Sequence, residues 1–394
     1  VFQVAFWLGF SMWQFWTKEQ FMKKLFVTLA VALAIVATAH RATQASGQTQ
    51  PGSSPTPKYT QEQIEEIKKQ REKAGNTNAL IQQAQNAMNA KNWQEAIPLL
   101  QQLVAMEPTE WQFYIGLGDA QLNLGQYDEA VESYQKGIGV AESNTVPSTD
   151  PAKKKAGVAK MLIYQGNAYV KLHRTNEAVA AFTRAAGMDP NPAVAYFNLC
   201  ATQYNSGNME GALDACDKAI AANPTKTEAY FIKASVLIAG STTDQVGIVK
   251  APPGTAEALK KYLELAPDGA HTPEVKQMLA FIGSRIEAAS KKRKGVLPAV
   301  PPTRISSGLA EANLIQKVDI PYPSMARVAY VVGDVVLQAI INKQGTIEDL
   351  TLVSGHPLLI QAVMDAVRQW RYKPYLLKGA PVDVVTTITV KFHI

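Results

Sequence analysis

Residues 116–134 read G-L-G-D-A-Q-L-N-L-G-Q-Y-D-E-A-V-E-S-Y, and residues 164–182 read Y-Q-G-N-A-Y-V-K-L-H-R-T-N-E-A-V-A-A-F. Each places a glycine (Gly118, Gly166) twelve residues before an alanine (Ala130, Ala178), and an aromatic ring (Tyr134, Phe182) four residues after it. The pattern recurs on either side. Ala96 and Ala212 carry the alanine phase, Ala84 and Cys200 the small-residue phase, and Leu100 and Cys216 the larger one. Pro108, Pro190 and Pro224 follow twelve residues after three of the four alanines. Ala96 to Ala130 is 34 residues and Ala178 to Ala212 is 34 again; the middle interval is 48, through an inserted Ser/Pro/Asp/Lys segment near 143–154.

A fixed period in this range means stacked supersecondary units. Each unit is expected to be two antiparallel helices. The small residue and the alanine let the backbones approach, the large residue fills the space one turn on, and proline stops the second helix. A fifth, degenerate unit is expected over Thr227–Ala266, interrupted by a loop holding Gly240, Pro252 and Pro253. Thr272–Ser290 reads as a closing helix with Thr272 as N-cap and Pro273 at its first position, and Tyr59–Lys73 as a polar leading helix. These positions resemble the tetratricopeptide repeat over roughly 200 residues. The resemblance implies a concave surface that binds peptides or partner domains, with Asn167, Lys171, Phe197, Asn198 and Phe231 as candidates to line it.

Cys200 and Cys216 fall in one repeat, on opposing helices, at levels about one turn apart. A disulfide needs Cα atoms within about 7 Å; two buried thiols packing as small hydrophobes are the expectation, with the disulfide as alternative. No C-x-x-C pair exists, which excludes a zinc ribbon or thioredoxin-type site. Gly116-Leu117-Gly118 lies inside a repeat helix rather than after a strand, so it is no dinucleotide fingerprint.

Upstream, Met22-Lys23-Lys24 precedes an apolar run from Leu25 to Ala39 and small residues up to Ala45, the form of a secretory signal. Its 15 residues fall short of the ~20 of a spanning helix. Cleavage over 22–45 is expected, a retained membrane anchor being the alternative. Residues 1–21 read as a gene-model extension before Met22, and 46–58 as a flexible Gly/Ser/Pro leader. The repeats take 59–290, and a Lys/Pro-rich linker takes 291–312, able to span on the order of 60 Å.

From 313 the periodicity alternates. Val335, Leu337, Ala339 and Ile341 share a strand face, Asn342–Gly345 supplies a hairpin turn, and Ile347–Val353 returns. Leu359, Val363, Ala366, Val367 and Trp370 form one helical stripe, and Val382–Phe392 a third strand. The expected fold is therefore an all-α helical-repeat solenoid followed by a small α+β domain with a three-stranded antiparallel sheet.

Tyr322-Pro323 with Met325-Ala326-Arg327, G-D-V-V-L, V-S-G-H-P and A-V-R-Q-W-R-Y-K-P occur in that order, and together they resemble the TonB C-terminal domain. The resemblance implies a periplasmic module that couples an inner-membrane motor (ExbB and ExbD) to TonB-dependent outer-membrane receptors. It grips a receptor segment by strand addition on the third strand: Val382, Asp383, Val384, Val385, Thr386, Thr387, Ile388, Thr389 and Val390. The chain departs from TonB in its short signal-like apolar run and in carrying repeats where TonB has a Pro-rich spacer. His356 is expected to cap a turn and Trp370 to anchor the core.

A formal net charge of +6 over 394 residues is too small to indicate nucleic acid as partner. Neither a nucleophile–base pair, a carboxylate dyad nor a metal cluster appears at useful spacing, so no enzyme, cofactor or metal is expected. The leading expectation is a periplasmic adaptor, the repeats holding one partner and the sheet domain another. The alternative is a membrane-anchored energy transducer.

Overall fold

A computed structural model describes residues 61–143, 150–286 and 301–393. The signal or anchor segment and residues 291–300 of the expected linker lie outside those residues. The chain divides into two compact units, 1–72 and 73–394. In the first unit the described residues, 61–72, are helical and exposed.

Helix α1 (Gln61–Asn89) leads into the repeats: α2 (Trp93–Met106), α3 (Trp111–Leu124), α4 (Tyr127–Glu142), α5 (Pro151–Lys171), α6 (Thr175–Met188), α7 (Ala193–Asn205) and α8 (Met209–Ala222). Helices α9 (Thr227–Ile238) and α10 (Thr255–Leu265) form the degenerate unit, and its interrupting loop holds a two-residue hairpin, β1 (Thr242–Thr243) with β2 (Val249–Lys250). Helix α11 (Thr272–Phe281) follows with Pro273 in its first turn. Its N-cap is His271 rather than the expected Thr272; the Thr272 hydroxyl instead donates to Ala266 O at 3.0 Å.

The repeat phases do what their residue sizes require. A Cβ on Gly118 would come within 2.6 Å of the Tyr134 ring, and one on Gly166 within 2.5 Å of the Phe182 ring. Both rings are almost wholly buried, so glycine is what lets the paired helices close over them. In the fourth unit the same two phases hold Cys200 and Cys216. Their sulfurs are bonded and their Cα atoms lie 5.1 Å apart, where two separate thiols were expected. The close helix approach that the small and large phases create elsewhere is what brings these two sulfurs together.

The C-terminal domain begins inside the stretch expected to be linker. Strand β3 (Thr303–Arg304) and helix α12 (Ser307–Ala312) precede β4 (Leu314–Gln316), helix α13 (Ser324–Val328), β5 (Gly333–Ile341) and β6 (Ile347–Ser354). Helix α14 (Pro357–Val367), β7 (Arg371–Tyr372), β8 (Tyr375–Leu377), β9 (Ala380–Val382) and β10 (Val384–Phe392) complete it. The main sheet has four strands rather than three, in the order β3-β10-β5-β6. Strands β10, β5 and β6 are antiparallel, but β3 joins β10 in parallel. The expected third strand is also shorter than read: Val382 belongs to the β8–β9 hairpin, and Asp383 lies between it and β10.

Val335, Leu337, Ala339 and Ile341 are fully buried on the face that α14 covers with Leu359, Val363 and Val367. Gly345 turns the β5–β6 hairpin at φ +79, and a Cβ there would fall on the Tyr372 carbonyl oxygen. Only glycine fits both the left-handed conformation and that approach.

The repeats and the sheet domain pack directly on each other, and one apolar core runs from Ile115 through the later repeats into the sheet domain, while the first repeat keeps its own cluster around Leu100. The Tyr204 hydroxyl at the end of α7 donates to Val328 O, and its ring meets Tyr330 edge-on at 5.1 Å. His356 caps α14 as expected: its Nδ1 accepts from the Leu358 N–H at 3.2 Å. Its Nε2 reaches Ala239 O, after α9, at 2.8 Å. A neutral ring with its hydrogen on Nε2 satisfies both contacts. The reach expected of the linker is thus not used to hold the two domains apart, because these contacts and a shared core close the gap.

Candidate docking edge and repeat groove

Strand β10 pairs with β5 residue for residue over its nine residues, from Val384↔Ile341 to Phe392↔Gly333. Val384, Thr386, Ile388 and Phe392 point into the core, while Thr387, Thr389 and Lys391 are exposed. Backbone groups alternate as side chains do. The outward series is marked by the bonds to β3: Thr303 N–H donates to Asp383 O at 2.9 Å, and Ile305 N–H donates to Val385 O at 3.0 Å. Continuing by two, the N–H and C=O of Thr387, Thr389 and Lys391 face the same way. Beyond Val385 no strand among the described residues pairs with that side. The border is therefore paired by the chain itself at Val384–Val385 and has no strand partner from Thr386 to Phe392 among the described residues, although helix α12 also lies against β10.

The opposite border, β6, differs. Its pairing with β5 shifts register twice, at Val336/Leu337 and at Ile340/Ile341. Such irregularities bend a strand and blunt its edge against further pairing. Strand β10 has no such break, and along its open stretch only Lys391 is charged. Of the two borders, β10 is the one whose register is unbroken and that carries the fewer irregularities. Of the residues expected to form it, Thr386, Thr387, Ile388, Thr389 and Val390 lie on the open stretch, Val384 and Val385 lie under β3, and Val382 and Asp383 precede the strand.

In the repeats, Asn167 on α5 and Asn198 on α7 come together, the Asn198 side-chain N–H donating to Asn167 Oδ1 at 3.2 Å. Lys171 is exposed at the end of α5. Phe197 and Phe231 are buried and offer no free surface: the Lys226 ammonium lies 4.2 Å from the Phe197 ring centre, and Phe231 stacks on His271 at 3.9 Å. The sequence reading missed a polar cluster on the same series of first helices. Asp119 on α3 accepts from the Tyr134 hydroxyl at 2.7 Å and faces Lys160 on α5 at 3.9 Å. Lys160 also lies 5.2 Å from the Tyr164 ring centre. Burial pushes the Asp119 carboxyl above its ordinary range, against the pull of Lys160 and Tyr134. A signal was present, since Asp119 and Asn167 each stand eleven residues before a marker alanine.

Among the described residues no group of His, Cys, Asp and Glu is placed to hold a metal, and no helix is long and apolar enough to cross a membrane.

Comparison with known proteins agrees with this division. Residues 81–144 and 165–227 match the family model of the tetratricopeptide repeat, and residues 318–394 match that of the Gram-negative bacterial TonB protein C-terminal. Protein TonB of Vibrio cholerae serotype O1 is 29% identical over 105 residues, which cover 24% of this chain and 42% of that relative. The chain thus spans about two-fifths of the curated relative's length. Among solved structures, YrrB, a TPR protein with an unusual peptide-binding site, is 16% identical with a TM-score of 0.38, covering 49% of this chain and 88% of its own. MamA from Desulfovibrio magneticus is 18% identical with a TM-score of 0.39, covering 49% and 97%. PilW, a type IV pilus biogenesis factor, is 18% identical with a TM-score of 0.37, covering 52% and 86%. The chain is a tetratricopeptide-repeat protein with a TonB-family C-terminal domain.

Proposed function

We propose that this protein is an adaptor of the bacterial cell envelope, facing the periplasm, in which β10 docks an extended segment of one partner and the repeat groove holds a second. One observation carries the reading. A regular nine-residue strand stands at the border of a sheet, and its outward N–H and C=O groups from Thr387 to Lys391 lack a paired strand among the described residues. An incoming extended segment satisfies those groups with little demand on its side chains. By likeness to TonB, the N-terminal segment of a TonB-dependent outer-membrane receptor is the proposed guest. The groove's contribution is the polar series Asp119, Lys160, Lys171 and Asn198, with the buried Asn167 holding the Asn198 amide, suited to a peptide or partner helix.

Strand addition demands backbone donors, which gives a direct test. Proline is tolerated in an edge strand where its missing N–H would have faced outward. Thr389→Pro removes one outward donor and leaves the β5 ladder intact. Binding of a heptapeptide selected from a random library on the full chain is expected to fall at least tenfold, with the fold retained by circular dichroism. Unchanged binding rejects strand addition at β10.

The transducer reading keeps one specific support, the apolar run Leu25–Ala39. In that case ExbB and ExbD are the proposed membrane partners. Cell fractionation separates the two: a soluble periplasmic product cleaved near Ala39 or Ala45 supports the adaptor, and a membrane-retained product supports the transducer.

A further inference from the structure

The docking edge is not wholly free, and its first rungs are covered by the protein's own chain. Thr303 and Ile305 donate to Asp383 O and Val385 O, the same outward series that continues through Thr387, Thr389 and Lys391. We propose that Thr303–Ile305 is an internal competitor for this edge: a guest that uses the whole of β10 must peel it away. This rests on the reading of β10 as the docking strand.

The competitor is built to be weak. Thr303 and Arg304 are exposed, and only the half-buried Ile305 packs against the core. Pro301 and Pro302 stand immediately before it. They have no N–H to donate, so the ladder cannot grow backwards along the linker. The chain beyond Ile305 is anchored by other contacts. The Ser306 hydroxyl caps α12 by accepting from the Leu309 N–H at 3.2 Å. The Tyr375 hydroxyl donates to Leu309 O at 2.8 Å, and the Lys373 N–H donates to Asn313 O at 2.8 Å. Residues 303–305 can therefore swing off with Ser306 as pivot while α12 keeps its place.

A tethered strand needs few bonds to compete. Attachment in the same chain gives it an effective concentration of the order of millimolar, so it covers the edge in the absence of a guest. It also lowers the apparent affinity of any guest by the work of displacing it, about tenfold to a hundredfold for two backbone bonds. In this role β3 guards an otherwise sticky border against chance pairing with a second copy or an unfolded chain.

The test compares the unsubstituted full chain with a T303P/I305P double variant, which lacks both donors. The probe is a fluorescein-labelled heptapeptide selected from a random library on the full chain. The expected results are at least tenfold tighter binding to the variant and, in the unsubstituted chain, loss of amide-exchange protection at Thr303 and Ile305 when the peptide binds. Equal or weaker binding to a folded variant, or Thr303 and Ile305 amides that stay protected in the complex, overturns the competitor and leaves the docking reading standing. If no selected peptide protects β10 in either chain, the docking reading fails and the competitor falls with it. Should the variant not fold, the exchange measurement on the unsubstituted chain decides alone.

Discussion

The repeats and the sheet domain solve the same problem by different means, and the difference governs what a sequence can show. In the repeats each helix pair closes around partners 16 residues apart, Gly118 with Tyr134 and Gly166 with Phe182, and the solution recurs along the chain. In the sheet the decisive pairings are non-local and occur once. Strand β10 takes β3 from some 80 residues upstream and β5 from the middle of the domain. Repetition makes a core redundant and legible; a pairing that occurs once leaves a sheet border whose fate depends on a single distant segment.

The largest effect expected is in the repeats. Phe182→Ala empties a buried ring site and is expected to destabilise by about 3–5 kcal/mol in urea unfolding. If stability is carried between neighbouring units, exchange protection falls first in α5, α6 and α7. Simultaneous loss in β5 and β10 instead shows that the shared core makes both regions one cooperative unit, and the contrast between them then fails for stability.

Next comes the cross-link. The disulfide closes a loop between residues 16 apart, and its reduction is expected to lower stability by about 3 kcal/mol. Non-reducing mass spectrometry of protein from the envelope checks that the bond forms there; two free thiols contradict it.

Gly345→Ala tests the sheet's own constraint. The residue must keep φ +79 against the Tyr372 carbonyl, and about 2–3 kcal/mol of destabilisation is expected, read as a shift in the urea midpoint.

The smallest effect lies at the seam between the regions. Burial holds the His356 imidazole below its ordinary value of 6.5, against the contact with Ala239 O. The unfolded chain then binds the proton more readily, so the stability this residue contributes is full above pH 6.5 and is lost as pH falls through the lower folded value. Protonation also puts a hydrogen on Nδ1, where the Leu358 N–H is donating. Urea midpoints between about pH 7.5 and 5 are expected to fall, and His356→Gln, which does not titrate, is expected to flatten that part of the profile.

The repeats were legible because small, large and proline positions recur in phase. The strands β5 and β6 and helix α14 were legible because their apolar periods are clean. Strand β3 was not, since two exposed residues after a Pro-Pro pair carry no alternation to read. The cysteines were misjudged because a count of helical turns ignores how far the small phase lets the backbones close. Phe197 and Phe231 were misplaced for a related reason: an aromatic on a first helix can fill the seam between units as readily as it can line the groove. Asp119 and Lys160 were overlooked because each is an ordinary charged residue until the repeats are stacked.

Residue-resolved amide exchange along β10, in the full chain alone and with the selected heptapeptide, tests the docking strand most directly. Alone, Thr387, Thr389 and Lys391 are expected to exchange quickly while Thr386, Ile388 and Val390 exchange slowly; the peptide is expected to slow the first three. Outward amides already protected in the free chain, or unaffected by a bound peptide, would contradict the account.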